Sequence, residues 1–181
     1  MSTILGQPRM ELLDELAARR DIHLLLLRYC RGVDRLDVDL INSCYCEESF
    51  DDHGYWKGSG QDFGAFITES LRKRAVMTSH TIGNSIVEFE SANVARGETY
   101  TMAYLRRRDD DNRQWLDQFF GRYIDRFERD AGHWRIKRRV VMHDWSVASD
   151  LTTATSFPVK IGTFEQGQRD NTDLSYRNIG D

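Results

Sequence analysis

The spacing of apolar side chains along this chain changes most clearly near Met77. Before that residue, apolar positions recur every three or four residues, as on amphipathic helices, and after it they alternate with polar positions, as in strands. A chain with helices first and long strands afterwards is typical of an α+β domain. Because long sheets twist and curl, we predict a cone-shaped, curved antiparallel sheet with the N-terminal helices packed in its concave face, enclosing an apolar pocket.

The predicted elements follow from the same spacing. Helices are expected at 10–36, 37–46 and 61–73, and Asp21, a residue type that caps helices, could interrupt the first of them. Residues 49–57 suit a short bent strand pair around Gly54. Four long strands are expected at 79–89, 95–107, 114–129 and 134–147. These elements predict one domain over residues 1–149.

Residues 150–181 differ in composition from the rest of the chain, with several threonines followed by a polar, glycine-containing end. We interpret them as an extended C-terminal arm. Val159, Ile161 and Phe164 could pack over the pocket mouth or against a second copy of the chain, and disorder is the alternative.

The charge balance limits the classes of partner. The chain carries a formal net charge of -4, and nucleic-acid binding needs a basic surface, so nucleic acid is not an expected partner. No apolar run is long enough to span a membrane, and residues 1–7 lack the basic and apolar regions of an export signal. The three cysteines form no paired zinc-binding motif and are expected to be buried thiols. These features predict a cytoplasmic protein without a membrane partner.

The stretch 24–34, LLLLRYCRGVD, supplies the first candidates for a site. Tyr29 follows the leucines at helical spacing and Asp34 lies five residues later, so both side chains can point into the space that the leucines line. A carboxylate at the edge of an apolar pocket has a raised pKa and can carry a proton. The alternative is that Asp34 is a solvated residue at the helix end, beside Arg31 and Arg35.

Alternation within the strands predicts which side chains face the pocket. In the third long strand, the more aromatic and less charged set is Phe119, Gly121, Tyr123, Asp125 and Phe127. In the first long strand, the inward set is His80, Ile82, Asn84 and Ile86. The last strand leaves two registers open, one with Arg138 and the other with Arg139 and His143, and a bulge could exchange them midway.

Several motifs together resemble those of one known family. They are RYxxxxD on the first helix, the DDHG turn, TSHTIGN in the first long strand, and the closing GRYIDRFERDAGHWRIKRRVVMHDW. Over residues 10–147 the chain resembles the SnoaL-like branch of the nuclear transport factor 2 superfamily. The resemblance implies an α+β cone with an apolar pocket. It also implies the cofactor-free eliminations of that branch, which includes dehydratases, a dehydrochlorinase and γ-formaldehyde lyases that often use an Asp–His pair.

The resemblance also implies roles for individual residues. Asp34 corresponds to the helix aspartate and His80 to the strand histidine, with His80 as the base that Asp34 orients. Tyr29 corresponds to a pocket tyrosine, and Arg139, with Arg138 as its competitor, to a pocket arginine that assists the leaving group. The predicted catalytic residues are thus His80, Asp34 and Tyr29. The predicted substrate-binding residues are Arg139, Tyr123, His143, Asn84 and His53.

Two classes of function follow. The first is a cofactor-independent lyase, a dehydratase or a γ-formaldehyde lyase, for a hydrophobic, hydroxylated aromatic or polycyclic molecule. Aromatic residues near the pocket favour a lignin-derived aryl ligand. The sequence has no phosphate loop, dinucleotide motif or metal-ligand cluster, so neither a cofactor nor a metal is expected.

The second class is a non-catalytic protein, because one fold can serve several functions. It would be a ligand-binding cone or a small structural subunit of a ring-hydroxylating dioxygenase. In either class, Phe120 and Ile124 form an apolar stripe on the outer face of the sheet. That stripe predicts a homodimer or homotrimer.

Overall fold

The computed structural model describes residues 11–154 and 164–177 of the chain. These residues contain the α-helices α1 (Leu12–Arg35), α2 (Val38–Asn42) and α3 (Gly60–Arg74). Their strands are β1 (Tyr45–Asp52), β2 (Lys57–Gly58), β3 (Met77–Ser91), β4 (Val94–Arg108), β5 (Gln114–Asp130) and β6 (His133–Asp150). No helix within the described residues is long and apolar enough to cross a membrane.

The strands form one curved sheet in the order β2-β1-β6-β5-β4-β3, and α1 and α3 pack against it. The α+β class and the antiparallel meander of β3 to β6 are confirmed. β1, however, pairs with β6 in parallel, so the sheet is mixed and its antiparallel part is the meander and the β1–β2 pair. Residues 53–132 separate the two strands in the sequence, and local spacing contains no information about such a distant pairing.

α1 runs without a break, so the interruption that the sequence allowed at Asp21 is not found. Its buried residues form one continuous apolar stripe on either side of that position. They include Ala18, Ile22, Leu25, Leu26, Tyr29 and Val33. The early leucines Leu12, Leu13 and Leu16, by contrast, are exposed and belong to no buried face.

The end of α1 is tightly defined. Leu36 adopts the left-handed conformation, with φ of 55°, and the N–H of Asp37 donates to the carbonyl of Gly32 at 2.9 Å. Gly32 also lets α2 approach, since a Cβ there would lie 2.8 Å from Ile41 Cγ1. Asp34 is thereby fixed in the last turn of the helix, facing the start of β3.

The inward set predicted for β5 is found in the structure, where Tyr123, Asp125 and Phe127 are buried. β6 changes face midway, as one of the predicted alternatives allowed. Phe127 pairs with Ile136 and Arg126 pairs with Arg138, which leaves one extra residue in β6. Even-numbered residues are therefore inward before this bulge and odd-numbered ones after it as far as His143. A further bulge, where Gly121 pairs with His143 and Phe120 with Trp145, returns the inward side to the even-numbered residues from Ser146.

A bulge in β3 makes part of the inward set predicted for that strand wrong. Ile82 pairs with Thr101, but the next inward pair is Ser85 with Thr99, so one additional residue separates them in β3. His80 and Ile82 face inward as predicted, whereas Asn84 and Ile86 are exposed. Strict alternation failed there because a bulge exchanges the two faces of a strand.

Residues 164–177 lie against the ends of α1 and α3. Arg169 donates to the carbonyl oxygen of Ala75 at 2.6 Å, and Asp173 lies 3.4 Å from Arg35. This part of the predicted arm therefore braces the helix end that carries Asp34. Phe164 is exposed, and Val159 and Ile161 lie outside the described residues.

Candidate active site

A cavity of about 550 Å³ lies between the helices and the concave face of the sheet. Its volume falls within the range of about 300–1,000 Å³ that is typical of sites for small organic molecules. Most of its wall is apolar, and α1 and α3 contribute Val33, Phe63, Ile67 and Leu71. The structure thus contains the predicted apolar pocket.

Asp34 and His80 meet at the wall of this cavity. Nδ1 of His80 lies 2.7 Å from Asp34 Oδ1, and the backbone N–H of His80 donates to Asp34 Oδ2 at 2.9 Å. Because a carboxylate only accepts, Nδ1 carries the proton and Nε2 of the neutral ring presents its lone pair. His80 lines the cavity, and its Nε2 has no hydrogen-bond partner within the described residues.

The pKa of Asp34 differs from the sequence-based expectation. Burial acts to raise this pKa, but the hydrogen bonds from His80 outweigh burial and hold it below its ordinary value of 3.8. The expectation of a raised pKa is therefore wrong, because it considered desolvation without the histidine that the fold brings to the carboxylate. Asp34 is charged at neutral pH, so it orients His80 and does not itself carry a proton.

A second histidine, His53, lines the cavity from the turn between β1 and β2. Its Nε2 lies 3.3 Å from the hydroxyl of Tyr29. Its Nδ1 lies 3.0 Å from Asp51 Oδ1, an ion-pair distance without the alignment of a hydrogen bond. Asp51 is fully buried and accepts a hydrogen bond from the hydroxyl of Tyr45. Tyr29 is thus connected through His53 to a buried carboxylate.

Tyr29 belongs to an aromatic cluster at the base of the cavity. Its ring packs edge-on against Tyr123 and Tyr45, with centroid distances of 5.8 and 6.1 Å. Burial raises the pKa of the Tyr29 phenol well above its ordinary value of 10.0. The hydroxyl therefore keeps its proton at neutral pH and can donate a hydrogen bond.

Arg139 lies behind this aromatic cluster and does not line the cavity. It is fully buried and donates two hydrogen bonds of 2.8 Å to Asp125, its partner in the register of β5 and β6. Its Cζ lies 4.3 Å from the ring centroid of Tyr29 and 3.9 Å from that of Tyr123. Burial alone would lower the pKa of Arg139, but Asp125 raises it well above its ordinary value, so the guanidinium stays charged.

This buried position contradicts the prediction that Arg139 contacts the substrate. The guanidinium is committed to Asp125, and the rings of Tyr29 and Tyr123 cover it. Arg138, the competing candidate, does not line the cavity either, because its Cζ lies 4.5 Å from the ring centroid of Phe50.

The other predicted binding residues take three different positions. Tyr123 lines the cavity and is 4% exposed. His143 also lines it, from an exposed position on β6 where its Nε2 lies 3.1 Å from Ser146 Oγ. Asn84 lies on the exposed side of β3, beyond the bulge that follows Ile82, and does not line the cavity. The prediction that Asn84 binds substrate is therefore corrected.

Sequence reasoning missed three charged residues of this region, namely Asp51, Arg74 and Asp117. Asp51 precedes His53 by two residues, and strand alternation places such residues on one face. Asp117 extends the inward set of β5 by one step and lines the cavity. Arg74 resembles an ordinary basic residue at a helix C-terminus, yet it follows Leu71 by three residues and so shares its face.

The three cysteines are buried and free, as the sequence predicted. Burial raises the pKa of Cys30 to about 12 and that of Cys44 to about 11. The thiolate is the reactive form of cysteine, and both of these thiols stay protonated at neutral pH. We therefore assign neither of them a chemical role.

Solved structures of several proteins share this fold. A candidate scytalone dehydratase from Novosphingobium aromaticivorans has a TM-score of 0.68 and 18% identity, over 83% of this chain and 98% of its own. The hexachlorocyclohexane dehydrochlorinase LinA-type3 from Novosphingobium barchaimii has a TM-score of 0.68 and 19% identity, over 81% of this chain and 98% of its own. The beta subunit of a candidate aromatic-ring-hydroxylating dioxygenase from N. aromaticivorans has a TM-score of 0.57 and 17% identity, over 74% of this chain and 92% of its own. Identities this low indicate a common fold alone.

Sequence comparison gives a more specific result. No curated protein matches the chain, but a family model described as the SnoaL-like domain matches residues 14–140. The matched region begins in α1 and ends in β6, so it contains Tyr29, Asp34, His53 and His80. Because the match covers more than half of the sequence and agrees with the fold, the chain belongs to the SnoaL-like domain family.

Proposed function

We propose that this protein is a cofactor-independent lyase in which His80 acts as the general base. The proposal rests mainly on one observation. Asp34 holds Nδ1 of His80, whereas Nε2 has no partner within the described residues and the ring lines the cavity. An imidazole held in this tautomer can accept a proton from a bound ligand, and the carboxylate stabilises the imidazolium that forms.

Tyr29 and His53 can assist the leaving group. The phenol of Tyr29 keeps its proton because burial raises its pKa, and its hydroxyl lies at the cavity wall beside His53. A donor in an apolar site interacts strongly with negative charge that develops during a reaction. We assign this donor role to Tyr29, with His53 as its hydrogen-bond partner, and exclude the buried Arg139 from it.

The cavity fits a hydrophobic, hydroxylated substrate with aromatic or polycyclic rings. Its apolar wall and its volume of about 550 Å³ suit more than one ring, and aromatic residues such as Phe63 and Phe119 offer surfaces for stacking. The dehydratase and dehydrochlorinase that share the fold are named for eliminations, which agrees with a proton-transfer site.

Two balanced reactions are compatible with this site. In a dehydration, His80 takes a proton from carbon, the electron pair forms a carbon–carbon double bond, and the hydroxyl leaves as water with a proton from Tyr29 or solvent. In a γ-formaldehyde elimination, His80 takes the proton of a hydroxymethyl group, the carbon–carbon bond breaks, and formaldehyde leaves. The electron pair remains on the larger fragment, where it expels a second leaving group or is protonated. In both reactions a base and a donor act together.

A substrate panel tests the proposal. Diaryl compounds with hydroxymethyl groups and polycyclic alcohols are incubated with the wild type, and mass spectrometry detects the loss of water or formaldehyde. We expect turnover of at least one compound, and His80→Gln should lower the rate on the order of a hundred- to ten-thousandfold. Asn84→Ala, a change of an exposed residue on the same strand, should retain the wild-type rate.

Two results would contradict the proposed mechanism. One is a His80→Gln variant that retains more than about a tenth of the wild-type rate, since a general base usually contributes more than that. The other is loss of turnover after prolonged dialysis against a chelator, because proton transfer by side chains requires no metal.

The outer face of the sheet favours one alternative, a small subunit that supports a larger oxygenase. Trp145 is 54% exposed and stacks on Phe120 at 3.7 Å, which leaves aromatic surface uncovered. The fold is also shared with a dioxygenase beta subunit. The open cavity argues against this alternative, because a structural subunit has no need of one. Turnover of a small molecule by the isolated chain would separate the two functions.

A further inference from the structure

Arg74, the last residue of α3, lines the cavity. It follows Phe63, Ile67 and Leu71 at helical spacing and so continues the face that forms the apolar wall. Its neighbour Lys73, in contrast, does not line the cavity and pairs with a glutamate one turn earlier at 2.7 Å. The general preference of basic residues for helix C-termini therefore does not by itself explain why Arg74 lines the cavity.

Arg74 has no counter-ion among residues 11–154 and 164–177. No carboxylate of the described residues lies within ion-pair distance of its guanidinium. Its guanidinium lies over the ring of Tyr55, whose centroid is 5.9 Å from its Cζ. An arginine is always protonated in a protein, so a permanent positive charge borders the cavity.

The carboxylates near the cavity are already paired. Asp117, which lines it, accepts a hydrogen bond of 2.6 Å from Arg107. Asp34 is held by His80, and Asp125 by the buried Arg139. Within the part of the chain that the structure describes, the positive charge of Arg74 is thus uncompensated, and a ligand with one negative charge would neutralise it.

We propose that Arg74 selects the substrate of this site, and that the substrate is an aromatic or polycyclic molecule that bears a carboxylate. This inference rests on the proposed function, because it takes the cavity to be the substrate site. A guanidinium offers a carboxylate two parallel N–H···O hydrogen bonds. The rings of the ligand then lie against Phe63, Ile67 and Leu71, and the anchored carboxylate fixes how the rest of the molecule is presented to His80.

A matched pair of inert ligands tests this proposal without turnover. Naphthoate and naphthamide share two fused rings and nearly the same shape, and they differ by one negative charge. Calorimetric titration gives the dissociation constant of each for the wild type, Arg74→Gln and Arg72→Gln. Arg72 is exposed, as Arg74 is, but it does not line the cavity, so the last variant removes a positive charge nearby without changing the site.

Arg74→Gln should weaken naphthoate binding about tenfold, the loss expected for one charge-assisted hydrogen-bonded contact at a partly exposed site. Naphthamide binding should stay within about twofold of the wild type, because no charge-assisted bond is lost. Arg72→Gln should bind both ligands as the wild type does. A selective loss for naphthoate of at least about threefold supports the proposal, as it exceeds the effect expected of a screened surface charge.

Three results would overturn it. They are a smaller loss for naphthoate, an equal loss for naphthamide, and a wild type that does not bind naphthoate. His80→Gln separates this outcome from that of the proposed lyase mechanism. It should bind naphthoate as tightly as the wild type while it fails in turnover, so the binding result reports on Arg74 and the rate on His80.

Discussion

Replacing Arg139 with methionine tests the buried ion pair that supports the cavity from behind. Arg139 is 0% exposed and Asp125 is 3% exposed, and two hydrogen bonds of 2.8 Å join them. Methionine retains much of the aliphatic length but removes the guanidinium, so the carboxylate of Asp125 stays buried without its partner. Breaking a buried pair from one side typically costs about 3–5 kcal/mol, and we expect a loss of that size in the free energy of unfolding.

Urea titrations followed by tryptophan fluorescence and circular dichroism measure this loss. The double variant Arg139→Met/Asp125→Leu should recover most of it, because two apolar side chains leave no uncompensated charge in the core. A single variant that loses less than about 1 kcal/mol would refute the reasoning, since that is the range of exposed ion pairs. A double variant that is no more stable than the single one would refute it as well.

Three further predictions concern the rest of the fold. Gly121→Ala should lower the free energy of unfolding in urea by about 1–3 kcal/mol, because a Cβ there would collide with the carbonyl oxygen of Met142; unchanged stability would contradict this. Asp34→Asn should be less stable than the wild type at neutral pH, and the difference should vanish as the pH falls below 3.8, the ordinary value. A carboxyl with a lowered pKa in the folded state adds stability above the unfolded-state pKa and loses it in acid, so a pH-independent difference would count against the pair with His80. Ile124→Glu, on the exposed outer face, should shift the proposed homodimer or homotrimer towards monomer in light scattering, and a monomeric wild type at micromolar concentration would disprove that assembly.

The main features of the fold could be predicted because they are encoded in local spacing. The apolar stripe of α1 follows from a helical period and the inward set of β5 from a two-residue period, whereas the period left the register of β6 open. The same periods predicted His80 on an inward face and allowed Asp34 to face inward, and the structure brings the two side chains to 2.7 Å from each other.

The remaining errors came from interactions between distant parts of the chain. The parallel pairing of β1 with β6 and the bulge that turns Asn84 outward depend on contacts with neighbouring strands. The burial of Arg139 depends on Asp125, a residue of another strand that competes with any ligand for the guanidinium. The lowered pKa of Asp34 depends on His80 in the same way, since only the folded structure brings the two groups together.

The turnover number of His80→Gln, measured beside its substrate dissociation constant, tests the central claim most directly. One substrate found in the panel is used at saturating concentration for both the wild type and the variant. The account predicts that the turnover number falls on the order of a hundred- to ten-thousandfold while the dissociation constant stays within about threefold. A variant that keeps more than about a tenth of the wild-type turnover, with the substrate still bound, would contradict the assignment of His80 as the general base.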